Sequence, residues 1–69
     1  MIITLTWQAP LPSSDVFVQY NVSKNEGTPV NTTQTTWTDT NGILNDKYCV
    51  VAEYTDGKSV PVCVVVQNP

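Results

Sequence analysis

The chain reads as an all-β protein built from antiparallel strands. Three observations carry that reading. Ile3, Leu5 and Trp7 alternate with Thr4, Thr6 and Gln8, which is the period of a half-buried strand. Tyr48 to Tyr54 and Ser59 to Val66 are β-rich runs on either side of Asp56-Gly57, a pair that favours a tight hairpin turn. No segment carries the apolar spacing of a helix. With 69 residues there is room for one domain, 1–69, near the lower limit at which a core sustains a fold unaided, so a staple or a partner is expected.

The first strand stops at Ala9-Pro10-Leu11-Pro12, because proline lacks the N–H that a ladder needs. Ser13-Ser14-Asp15 reads as a loop. Val16 to Val22 reads as a second strand, with Val18, Tyr20 and Val22 on one face and Phe17, Gln19 and Asn21 on the other. Ser23 to Gly27 is a turn, and Thr28 to Thr33 is a short, polar, proline-bearing segment suited to a sheet edge. Thr35 to Asp39 is a short strand whose one large apolar residue, Trp37, points inward. Asn41-Gly42 turns the chain, and Ile43 and Leu44 are expected under the core before Asn45-Asp46 leads into the hairpin.

The hairpin has two registers to choose from. A two-residue loop at Asp56-Gly57 pairs Thr55 with Lys58 and leaves Cys49 and Cys63 on opposite faces, where they cannot bond. A three-residue loop, Thr55 to Gly57, with Gly57 left-handed in a bulge, pairs Tyr54 with Lys58 and sets Cys49 opposite Cys63. We adopt the second. It gathers Tyr48, Val50, Ala52, Val60, Val62 and Val64 on an apolar face and the cysteines, Val51, Glu53 and Pro61 on the other. A cross-strand Cys49–Cys63 disulfide is the expectation and two free thiols the alternative. A redox centre is disfavoured, since the spacing is not Cys-x-x-Cys and no basic group flanks either cysteine. The expected core is Trp7, Tyr20, Val22, Trp37, Tyr48, Val50, Ala52, Val62 and Val64, with Leu5 beside them.

Four runs then fall into a familiar order: Leu-Thr-Trp-x-x-Pro at Leu5 to Pro10, Tyr-x-Val at Tyr20 to Val22, Thr-x-x-Asp at Thr36 to Asp39, and Tyr-x-Val-x-Ala at Tyr48 to Ala52. In these the chain resembles a fibronectin type III domain. Tyr20-Asn21-Val22 and the run Tyr48 to Ser59 are most similar to the variants in secreted bacterial surface proteins and adhesins. The resemblance implies a small immunoglobulin-like antiparallel β-sandwich, with Trp7 as the core tryptophan of strand B and Tyr48 as the tyrosine-corner residue of strand F. It implies no function, because the family is a scaffold for many kinds of contact. The pattern departs from the family at its start, where only Met1 to Ile3 precede the Leu-x-Trp strand and strand A is missing. The outer edge of that strand is then open, with neither charge nor proline in Ile2 to Trp7 to blunt it. Ile2, Ile3, Thr4 and Leu5 are the candidate interface, to be covered by a partner strand, by a neighbouring copy, or by Gln67-Asn68-Pro69 folding back.

Composition narrows the function classes. A net charge of −3 with only three basic residues leaves no footprint for nucleic acid or an anionic membrane. The longest apolar run, Val62 to Val66, is too short to span a bilayer, and Met1-Ile2-Ile3-Thr4 opens without the features of a leader. Histidine is absent, the carboxylates are scattered and no glycine-rich loop could hold phosphate, so neither an enzyme nor a cofactor is expected. Asp39, Asn41, Asn45 and Asp46 invite a calcium reading, but their spacing fits no ligand pattern, and a turn rich in such residues is the plainer account. Asn21-Val22-Ser23 and Asn31-Thr32-Thr33 match the glycosylation sequon, as chance allows in so polar a chain. Phe17 and Val51 are further candidates for contact, although single exposed apolar side chains are ordinary.

The leading expectation is a non-catalytic protein that attaches to a larger assembly, such as a decoration or cement protein on a virion surface, because a methionine start without a leader suits a short product held by its neighbours. The alternative is a module of a secreted bacterial adhesin or extracellular enzyme. A carbohydrate-binding module is weaker still, since Trp7 and Trp37 both look inward.

Overall fold

A computed structural model describes residues 1–9 and 16–67. The expected strand stop at Pro10 to Pro12, the loop Ser13-Ser14-Asp15 and the fold-back of Asn68-Pro69 lie outside the described residues. Among those residues there are seven strands and no helix: β1 Ile3–Thr6, β2 Phe17–Lys24, β3 Val30–Thr32, β4 Thr36–Asp39, β5 Lys47–Tyr54, β6 Gly57–Lys58 and β7 Val62–Val65. They form two antiparallel sheets, β1-β4 and β3-β2-β5, with β6 and β7 following one another along the remaining edge of β5.

The alternating first run pairs Leu5 with Trp37, and the Trp7 N–H carries the ladder on to the Thr35 carbonyl at 3.0 Å. At the other end Met1 and Gly42 exchange bonds, the terminal ammonium donating to the Gly42 carbonyl at 2.7 Å and the Gly42 N–H to the Met1 carbonyl at 2.9 Å. Gly42 is buried against the Ile3 side chain, so only a residue without a Cβ fits there. β2 runs two residues further than its apolar pattern and turns at Asn25-Glu26, whose φ values of 52° and 61° make the primed turn that matches strand twist.

The sheets meet through aromatic rings. Trp7 stands edge-on to Tyr20 at 5.3 Å, and Trp37 lies 6.0 Å from Tyr48. Tyr20, Val22 and Tyr48 are buried, while Leu5, Trp7, Trp37, Val50 and Ala52 are half-buried.

Four expectations need correction. Val18 does not share the inner face of Tyr20 and Val22: the ladder to β5 slips between Phe17 and Gln19, so Val18 is exposed and Phe17 turns in to meet Tyr20 at 4.7 Å and Tyr54 at 6.0 Å. The hairpin loop is neither of the two considered. Tyr54 pairs with Gly57 and Glu53 with Lys58, leaving Thr55 and Asp56 as the loop. The extra residue lies instead in the break between β6 and β7, after which Cys49 faces Cys63 as expected. Ile43 and Leu44, 63% and 43% exposed, do not pass under the core, because Asp46 rather than an apolar residue is the buried member of that loop. Finally, Val62 and Val64 are not core: they are 75% and 51% exposed, and Val60 is 82% exposed.

Candidate functional site

The exposure of those valines locates the site. β5 presents Tyr48, Val50, Ala52 and Tyr54 to the sheet above it, and β7 continues the same face with Val62 and Val64. The overlying sheet has only two strands, and it ends at β1. Between β1 and β7 an open cleft of about 630 Å³ remains, walled by Leu5 and Trp7 above and by the valines below. Among the described residues, no charged residue and no residue of β4 borders it.

Two strand edges run along the cleft. Trp7 donates to Thr35, and the Thr36 hydroxyl donates to the Leu5 carbonyl at 3.0 Å, so Ile3, Leu5 and Trp7 turn their backbone groups toward β4. The N–H and C=O groups of Thr4 and Thr6 therefore face outward, without a partner strand among the described residues. On β7 the Val66 N–H donates to the Asp46 carbonyl at 2.9 Å, which by alternation leaves Cys63 and Val65 facing outward. The candidate interface residues are thus divided: Ile2, at 70% exposure, and Thr4 are open, whereas Ile3 and Leu5 are half-buried with Leu5 in the cleft wall. The indole N–H of Trp7, on the same wall, is buried and finds no acceptor among the described residues.

The floor is held by the disulfide. Cys49 and Cys63 are bonded across β5 and β7, their Cα atoms 4.1 Å apart, and Cys63 borders the cleft. This ties β7 to β5 although all four β7 residues are exposed. Ser59 bridges the break before β7: its N–H donates to the Ala52 carbonyl at 2.8 Å, and its hydroxyl accepts from the Ala52 N–H at 2.9 Å.

Beyond the cleft, at the hydroxyl of its wall residue Tyr48, lies a polar clamp that sequence reasoning missed. Asp39 accepts from the Lys24 ammonium at 2.7 Å, from the Tyr48 hydroxyl at 2.8 Å and from the Asn41 N–H at 2.9 Å. These donors hold its carboxyl down at about 2, the lysine contributing most. Asp46, buried, accepts from Asn25 Nδ2 and the Ile43 N–H, both at 2.9 Å, with Lys24 3.5 Å away, and it too is held below the usual range. The Lys24 pKa is raised in return, chiefly by Asp39. Burial, and then the Asp39 carboxylate, push the Tyr48 phenol up to about 12. Of the cluster weighed for calcium, Asp39 and Asp46 do converge, but on an ammonium; Asn41 contributes backbone, and Asn45 sits exposed at φ 73°. The signal that could have found this clamp was Lys24 at the end of β2, on the same face as Tyr20 and Val22.

The other marked residues lie elsewhere. Asn21 donates to the Glu53 carboxylate at 3.0 Å, as Gln19 does at 3.3 Å, and together they lower the Glu53 pKa. Asn31 is exposed on β3, and Phe17 and Val51 are half-buried.

No family model, no curated protein and no solved structure matches the chain.

Proposed function

We propose that this chain is a non-catalytic interaction module with an immunoglobulin-like, fibronectin type III-like sandwich, and that it attaches to a larger protein assembly through the open edge of β1. The strand order supports the fold: β1-β4 over β3-β2-β5-β7 matches a two-layer arrangement in which β1, β2, β4, β5 and β7 stand for strands B, C, E, F and G. Trp7 packing edge-on against Tyr20 supports its reading as a core tryptophan, while the Tyr48 hydroxyl bonds to the Asp39 side chain on β4 rather than to the backbone that a tyrosine corner uses.

The observation that carries the attachment is the β1 edge, unpaired among the described residues, above an exposed row of valines. Edges of this kind template pairing, and proteins blunt or cover them. The outer edge of this sheet's neighbour is treated so: β3 is short, polar and preceded by Pro29. β1 is not.

A decoration or cement protein on a virion surface is the form of attachment we favour. Hydrogen exchange on the native assembly against the dilute chain tests it. The Thr4 and Thr6 amides should exchange far more slowly in the assembly; equal protection in the dilute monomer would mean that the edge is already covered. The second reading, a module of a secreted bacterial adhesin or extracellular enzyme, is favoured by the run Tyr48 to Ser59. A gene of about this length among capsid and tail genes supports the first, and a long gene encoding many such modules supports the second.

A further inference from the structure

We propose that the cleft between β1 and β7 seats a single extended, uncharged arm of a partner protein, which pairs with the free edge of β1 and lays alternate apolar side chains over Val62 and Val64. The inference rests on the attachment reading above and names its occupant. One strand beside β1 meets both needs of the site: it gives the outward groups of Thr4 and Thr6 a ladder, and it covers the valine floor that the two-stranded sheet leaves bare. The lining carries no charge among the described residues, which disfavours Asp, Glu, Lys and Arg at the inward positions of the arm, because a charge buried there would find no partner among them.

The overhang of β7 decides what kind of strand can enter. A second copy that offered a strand of its two-stranded sheet, inner face down, would bring its own five-stranded sheet to the level where β7 already lies. The two would collide. A lone segment carries nothing beneath it, so the site selects an arm and rejects the edge of a folded copy.

The probe is a synthetic peptide of about seven residues alternating valine and threonine, enough to span β1 with a margin at each end. The control peptide has aspartate in place of valine. The expected result is slowed exchange at Thr4 and Thr6, shifted methyl resonances at Val62 and Val64, a chain that stays monomeric, and no effect of the control. Two variants locate the contact without threatening the fold. Thr4→Pro removes an N–H that faces outward in the free chain, and Val62→Asp places a charge at a residue already 75% exposed. Each should weaken peptide binding by about tenfold or more.

Protection of Cys63 and Val65 instead would place the strand on β7 and overturn the proposal. So would self-association that protects Thr4 and Thr6 without peptide, binding undiminished by both variants, or no binding at all. The two readings fail separately. A chain that joins its assembly yet ignores the peptide disproves only the arm. A Thr4→Pro chain that assembles normally while failing to bind peptide disproves attachment through this edge.

Discussion

Glu26 holds a left-handed φ of 61° with no side-chain amide to suit it, as the second centre of the turn that follows β2. Such a backbone costs a residue with a Cβ about 1–2 kcal/mol, part of which glycine returns in unfolded-state entropy. The side chain gives little back, since its contact with Lys47 is 3.6 Å long and the carboxylate is 80% exposed. Glu26→Gly, which makes the turn Asn-Gly, should therefore stabilise the protein by about 0.5–1 kcal/mol in chemical denaturation. Tyr48 behaves oppositely. Tyr48→Phe keeps the ring but loses a hydrogen bond to a carboxylate, and should cost about 1–2 kcal/mol. Its titration adds a second test, because a folded pKa of about 12 above an ordinary value of 10.0 gives stability that is complete below pH 10 and is lost as pH rises toward 12. That alkaline loss should be shallower in Tyr48→Phe. Asp39 has the reverse sign: held at about 2 against an ordinary 3.8, it stabilises fully above pH 3.8 and ceases to do so as pH falls toward 2. The melting temperature followed across both limbs checks the pair.

Among the elements, what the sequence made legible was periodicity, and what it hid was slippage. β1 alternates strictly and β5 keeps an unbroken register with β2 from Tyr48 to Glu53, so their inner residues were readable from the period-2 pattern. β2 alternates as cleanly on paper, yet one unpaired residue at Val18 exchanges the faces of Phe17 and Val18, and nothing in a run of valines and aromatics marks a bulge. The cysteines reveal the net offset of the hairpin but not where it is absorbed: a bulge at the turn and a break at Ser59 to Pro61 set Cys49 opposite Cys63 equally well. The valines of β7 were legible as an inner face, but whether another layer covers an inner face is a matter of the second sheet's width. The disulfide matters to the cleft because it retains an exposed strand. In a Cys49→Ser, Cys63→Ser double variant the Val62 and Val64 amides should lose protection before those of β2. The loss of stability should not exceed about 3 kcal/mol, the entropy of closing a loop across a separation of 14 residues.

At the scale of the whole molecule the apolar residues buried among the described ones are Tyr20, Val22 and Tyr48, a thin core for two sheets. Trp7 then matters beyond its own half-burial, since it joins the layers through Tyr20 and forms one wall of the cleft. Trp7→Ala should cost about 3 kcal/mol or more, read as a large fall in melting temperature, because it widens an opening that is already unfilled. A chain so built gains from an occupant in proportion to how much of its inner face was left bare. An arm that binds only the folded state stabilises it by mass action, by about 2.7 kcal/mol when free peptide stands at 100 times its dissociation constant. The melting temperature should therefore climb with the logarithm of peptide concentration, and Val62→Asp, which leaves the unliganded chain near its own starting point, should flatten that climb. A melting temperature that ignores the peptide at concentrations where Thr4 and Thr6 are protected would mean that the strand also pairs with unfolded chain, and that the cleft contributes nothing to holding it.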